Sequence, residues 1–93
     1  MHAPLSFSII IPVYNRPDEL RELLESLVRQ TDSEFEVVIV EDGSEIKSTA
    51  VVEDFKGKLK ITYFEKPNEG PGPTRNFGAL RAGENYYIFF DSD

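Results

Sequence analysis

Two runs of β-branched residues constrain this chain more than any other feature. Leu5 to Ile11 and Phe35 to Val40 (FEVVIV) are almost continuously apolar. A strand with one solvated face alternates apolar and polar residues. An unbroken run suits a strand covered on both faces, as in parallel sheets. Between the two runs, Leu20, Leu23, Leu24, Leu27 and Val28 recur at the spacing of an amphipathic helix. Pro17 suits the first helical position and Asp18 and Glu19 suit the positive end of the helix dipole, which predicts a helix from about 17 to 30. The first strand is expected to close at Pro12, and the second to end in the turn Glu41-Asp42-Gly43-Ser44.

The alternation continues to the last residue. A shorter helix is expected over 46–55, with Ala50, Val51 and Phe55 as its apolar stripe, followed by a strand over 59–64. A Gly- and Pro-rich loop over 66–73, a helix over 74–82 ended by Gly83, and a strand over 86–90 complete the order. Strand–helix–strand repeated in this way implies right-handed crossovers and an α/β fold, a parallel sheet with helices on both faces. The simplest doubly wound order for four strands is 3-2-1-4. Its topological switch point lies between strands 1 and 4, and ligands bind there beyond the carboxyl ends of the strands. The residues expected on that rim are Pro12, Val13, Tyr14 and Asn15 after strand 1, Glu41, Asp42 and Gly43 after strand 2, and Asp91, Ser92 and Asp93 after strand 4.

Composition removes several function classes. Ninety-three residues permit one domain, 1–93, at the small end for a self-sufficient core. Ten Lys+Arg against seventeen Asp+Glu give a net charge of −7, which argues against a nucleic-acid surface. The absence of Cys excludes a disulfide framework, a zinc ribbon and a thiol nucleophile. The apolar runs are too short to span a membrane and no secretory signal is visible, so a cytoplasmic location is expected, any membrane attachment resting on segments outside this sequence. The chain stops directly after an apolar strand, which reads as a cut rather than a natural end.

Asp91 and Asp93 are two apart in an extended chain, so both carboxylates can face one ligand. Such oxygen donors suit Mg²⁺ or Mn²⁺, and an ion there would reconcile an acidic protein with an anionic ligand. The alternative is a solvated acidic turn. Asp42 can accept hydrogen bonds from a base imide or a ribose, or can serve as a turn and capping residue. Arg75 can offer its donor fork to phosphate or to a carboxylate, or can make a surface ion pair. Tyr14 can stack on a nucleobase or pack in the core, and Asn15 can hydrogen-bond the turn. Gly78 fits close approach of a ligand or another backbone, and equally simple helix–sheet packing.

Taken in order, these pieces resemble the N-terminal half of a family 2 glycosyltransferase of GT-A fold. The residues that carry the resemblance are Ser8 to Arg16 (SIIIPVYNR), Leu23 to Gln30 (LLESLVRQ), Phe35 to Ser44 (FEVVIVEDGS), Asn68-Glu69-Gly70, Thr74 to Gly78 (TRNFG) and Phe89 to Asp93 (FFDSD). The resemblance covers nearly the whole chain. It implies a Rossmann-like half-domain that binds a nucleotide-diphosphate sugar, expected to be UDP-linked. Pro12, Val13, Tyr14 and Asn15 would line the base and ribose pocket, and Asp42 beside Gly43 would hydrogen-bond the base. Arg75 would fix Asp42 or the diphosphate side, Asp91 would sit by the ribose, Ser92 would belong to the same nucleotide-sugar site, and Asp93, with Asp91, would hold Mn²⁺ or Mg²⁺. The full-length enzyme would transfer a hexosyl group to a hydroxyl of a saccharide or glycoconjugate acceptor, with inversion. The acceptor site and catalytic base are expected in the half not present, so the 93 residues alone are expected to bind and not to catalyse.

The sequence departs from the resemblance where Glu41 stands in place of a first Asp, and where Pro71 and Pro73 stiffen the loop before Arg75. The alternative reading is a non-catalytic nucleotide-binding half-domain. A dinucleotide oxidoreductase would need a Gly-x-Gly-x-x-Gly turn after strand 1, and a receiver domain an acidic pair there; neither is present. Strand 86–90, apolar yet at an edge of the expected sheet, is expected to mediate self-association.

Overall fold

The computed structural model describes residues 6–30, 34–83 and 86–89. Four strands, β1 (Ser6–Val13), β2 (Glu34–Asp42), β3 (Ile61–Lys66) and β4 (Tyr86–Phe89), alternate with helices α1 (Pro17–Val28), α2 (Thr49–Phe55) and α3 (Pro71–Arg81). The strands form one parallel sheet in the order β3-β2-β1-β4. This is the expected arrangement, with the switch point between β1 and β4.

The unbroken apolar runs are explained by cover on both faces. Ile9, Ile11, Val13, Val37 and Ile39 point into the larger core, against Leu20, Leu24 and Leu27 of α1 and Val51, Val52 and Phe55 of α2. Ile10, Val38 and Val40 point the other way, into a smaller cluster with Phe64 and Phe77, covered by α3. Gly78 lets that helix lie close: a Cβ there would fall 2.5 Å from Ile10 Cγ2. Helix–sheet packing therefore accounts for this glycine. On the same face Glu36 is buried, its Oε2 accepting the Ser8 hydroxyl at 2.7 Å and the Gly83 N–H at 2.7 Å.

Several element ends differ from expectation, each for a local reason. β1 continues through Pro12 to Val13, in register with Val40 and Glu41 of β2; proline lacks only the N–H, and its carbonyl can still join a ladder. α1 ends at Val28, two residues early, where the Arg29 and Gln30 N–H groups turn back to Ser26 and Leu27. α2 starts at Thr49 rather than 46, since Asn15 captures the Glu45 and Ile46 N–H groups in a turn. Its stripe is consequently Val51, Val52 and Phe55, and Ala50 is exposed. The Lys58 and Leu59 amides close the end of α2 on the Phe55 carbonyl, so β3 starts at Ile61. α3 begins at Pro71, not Thr74. Both prolines sit in its first turn, where N–H groups lack an intrahelical acceptor.

Candidate functional site

The carboxyl ends of β1, β2 and β3 meet at one rim, and three side chains hold its loops together. Asn15 follows β1 with a left-handed backbone (φ 53°), a conformation Asn tolerates. Its N–H donates to Ser44 Oγ at 2.9 Å, and its Oδ1 accepts the Glu45 and Ile46 N–H groups at 2.8 and 3.0 Å. The Ser44 hydroxyl donates to Glu41 Oε2. Glu41, 1% exposed, accepts on Oε1 the Ser48 N–H at 2.7 Å and the Tyr63 hydroxyl at 2.9 Å. Burial and the bond to Glu41 together push the Tyr63 phenol above its ordinary pKa.

Asp42 points to the opposite face, as alternation along a strand requires. Register places it beside Lys66, and the two side chains are both buried, with Lys66 Nζ 3.5 Å from Asp42 Oδ1. The same carboxylate accepts the Glu69 N–H on Oδ1 at 2.8 Å and the Gly70 N–H on Oδ2 at 3.0 Å. Asn68 Nδ2 donates to the Asp42 carbonyl at 3.0 Å. Burial alone would lower the Lys66 ammonium, but the Glu69 and Asp42 carboxylates outweigh it and its pKa is raised. Gly43 (φ 68°) makes the turn between the two faces; a Cβ on it would lie 2.6 Å from the Asn68 nitrogen. A cleft of about 360 Å³ opens between the ends of β2 and β3, lined by Glu41, Gly43, Ser44, Lys47, Glu65, Lys66 and Pro67.

The residues expected on the rim are distributed as follows. Tyr14 is 47% exposed rather than packed in the core, and so presents an aromatic face at the rim. Val13 contributes its side chain to the core and only its backbone to the rim. Pro12 is buried. Asp42 lies on the rim but holds the loop from Lys66 to Gly70, with one of its roughly four acceptor directions left. Lys66 makes an ion pair with Asp42, one of the two roles the resemblance offered Arg75, the other being the diphosphate side; Arg75 itself is half-buried and lies inside α3, within the helix expected there. Asp91, Ser92 and Asp93 lie outside the described residues. Among the described residues no three His, Cys, Asp or Glu side chains are grouped to hold a metal ion, and no helix is long and apolar enough to cross a membrane.

Sequence reasoning missed Lys66, Ser44 and the strut role of Glu41. The strand order already placed β3 beside β2, so an acid and a lysine at adjoining strand ends were a signal for the Asp42–Lys66 pair.

The model of the family described as glycosyl transferase family 2 matches residues 8–93. The chain belongs to this family. A glycosyltransferase of Rickettsia bellii, named as uncharacterized, is 41% identical over 92% of this chain and 12% of the relative. The poly(ribitol-phosphate) β-N-acetylglucosaminyltransferase TarS of Staphylococcus aureus is 39% identical over 96% of this chain and 16% of its own length. The structure of S. aureus TarS 1–349 in complex with UDP-GlcNAc superposes with a TM-score of 0.88 at 38% identity, over 96% of this chain and 27% of that one. The mannosyltransferase PcManGT of Pyrobaculum calidifontis, solved with GDP-Man and Mn²⁺, shares the fold at a TM-score of 0.84 and 22% identity, over 98% of this chain and 30% of that one. The fold is thus the α/β Rossmann-like GT-A fold. This family 2 chain spans less than a fifth of the length of the relatives from R. bellii and S. aureus.

Proposed function

We propose that residues 1–93 form the donor-binding part of a glycosyltransferase that moves a sugar from a UDP-linked donor to an acceptor hydroxyl, with inversion. The observation that carries this reading is Tyr14, an exposed aromatic on a loop bonded to Ser44, two residues beyond Asp42, on a fold matching TarS with UDP-GlcNAc. Tyr14 stacks on the base. The loop that Asp42 orders, with the remaining acceptor direction of that carboxylate, meets the base edge. Arg75, inside α3, faces the diphosphate side of the donor. The donor chemistry of Asp91 and Asp93, two carboxylates one residue apart, fits Mn²⁺ or Mg²⁺, and these two residues would hold it. When bound, such an ion supplies Lewis-acid stabilisation to the departing diphosphate. The acceptor site and base belong to the rest of the protein.

Calorimetric titration of the full-length protein with UDP, with and without Mn²⁺, tests this. Asp42→Ala should weaken UDP binding in both conditions, and Asp93→Ala only in the presence of the ion. No binding of UDP, GDP or TDP by the wild type would overturn the reading. Binding without transfer to any acceptor would favour a non-catalytic nucleotide-binding protein. The edge position of β4 supports a second proposal, that the 93-residue piece alone self-associates through this strand.

A further inference from the structure

Glu41 is a buried carboxylate, 1% exposed, whose oxygens are taken up by hydrogen bonds within the protein, and it stands at the rim and ties four separate segments together. Its Oε1 takes the Ser48 N–H and the Tyr63 hydroxyl, from the start of α2 and from β3. Its Oε2 takes the Ser44 hydroxyl, and Ser44 in turn takes the Asn15 N–H. Asn15 closes the circuit through the Glu45 and Ile46 amides. The residue before Asn15 is Tyr14, whose ring lies outside both core clusters; its loop is held by this circuit together with the strand it leaves and the helix that begins at Pro17.

We propose that Glu41 is a positioning residue, acting through Ser44 and Asn15 to hold Tyr14 where a nucleobase stacks. The stacking half of this statement rests on the donor-binding reading above; the clamp itself does not. The charge is not what the clamp needs. A glutamine at 41 keeps one oxygen for Ser48 and Tyr63 and turns its NH₂ to Ser44, whose hydroxyl then donates to the Val13 carbonyl, 3.4 Å away in the present structure. Alanine removes all three acceptor contacts.

The experiment compares Glu41→Ala, Glu41→Gln and Ser44→Ala in the full-length protein, by hydrogen exchange resolved to single amides and by titration with UDP. In Glu41→Ala, exchange at Asn15, Ile46 and Ser48 should accelerate about tenfold or more. In Ser44→Ala it should accelerate at Asn15 and Ile46 but not at Ser48, which keeps its bond to Glu41. UDP affinity should fall about tenfold in both, and Glu41→Gln should stay within about threefold of wild type by both measures. Ser44→Ala keeps the test alive if Glu41→Ala fails to fold. Unchanged exchange at Asn15 in either variant overturns the clamp. Accelerated exchange with unchanged UDP affinity overturns the positioning role and leaves a structural strut. A wild type that binds no UDP removes the donor reading and the stacking role, while the exchange pattern still decides whether the clamp exists.

Discussion

Removing the Asp42 carboxylate takes three partners from one place: the Lys66 ammonium and the Glu69 and Gly70 amides. Glu69 still pairs with Lys66, so the ammonium is not abandoned. Asp42→Ala should therefore cost about 2–3 kcal/mol, below the cost of orphaning a buried charge, and Asp42→Asn, which keeps one acceptor oxygen, about 1 kcal/mol. Urea unfolding monitored by circular dichroism checks both. Tyr14 offers the contrast. Half its surface is exposed and it adds nothing to either core cluster, so Tyr14→Ala should change stability by no more than about 0.5 kcal/mol. On the donor-binding reading the same change removes about 1–3 kcal/mol of stacking from UDP affinity, measured by titration. Asp42 could be placed on the rim from sequence because it follows an apolar run. Its partners could not, because they depend on the register that sets it beside Lys66.

Among the elements, α3 depends most on a single absent side chain. Gly78→Ala would gain about 1 kcal/mol of helix propensity, but its methyl group would meet Ile10 at 2.5 Å. Overpacking of this kind costs about 1–3 kcal/mol, so the net effect should be destabilisation, read from the shift of the urea midpoint. The strands were legible because a strand covered on both faces leaves a continuous apolar run. The same holds for α1, whose leucines at helical spacing, Leu20, Leu24 and Leu27, are the buried ones. The ends of α2 and α3 were not legible. One is set by Asn15 reaching across from another loop, the other by prolines that can begin a helix as readily as they stiffen a loop. At β4, the self-association proposal predicts a mass rising with concentration in light scattering of the 93-residue piece; a strictly monomeric piece would sink it.

For the molecule as a whole, one half-buried and one buried side chain tie stability to alkaline pH. The Tyr63 phenol and the Lys66 ammonium both hold their protons more tightly folded than unfolded. Their contributions are fully present below the unfolded pKa values, about 10 for Tyr and 10.4 for Lys, and are lost as pH rises through the higher folded values. The melting temperature should therefore decline from about pH 10 upward, and Tyr63→Phe should remove part of that decline while costing about 1 kcal/mol at neutral pH. The sheet order and the location of the rim followed from strand–helix alternation alone. The two-sided wiring of the rim did not, because it arises from neighbours in β2, Glu41 and Asp42, pointing to opposite faces. Glu36, far from that rim, carries a different implication. By gripping the Gly83 amide from beneath α3, it sets the point from which the chain enters β4. A carboxylate buried at the end of the sheet away from the rim thus fixes the place where the chain leaves α3.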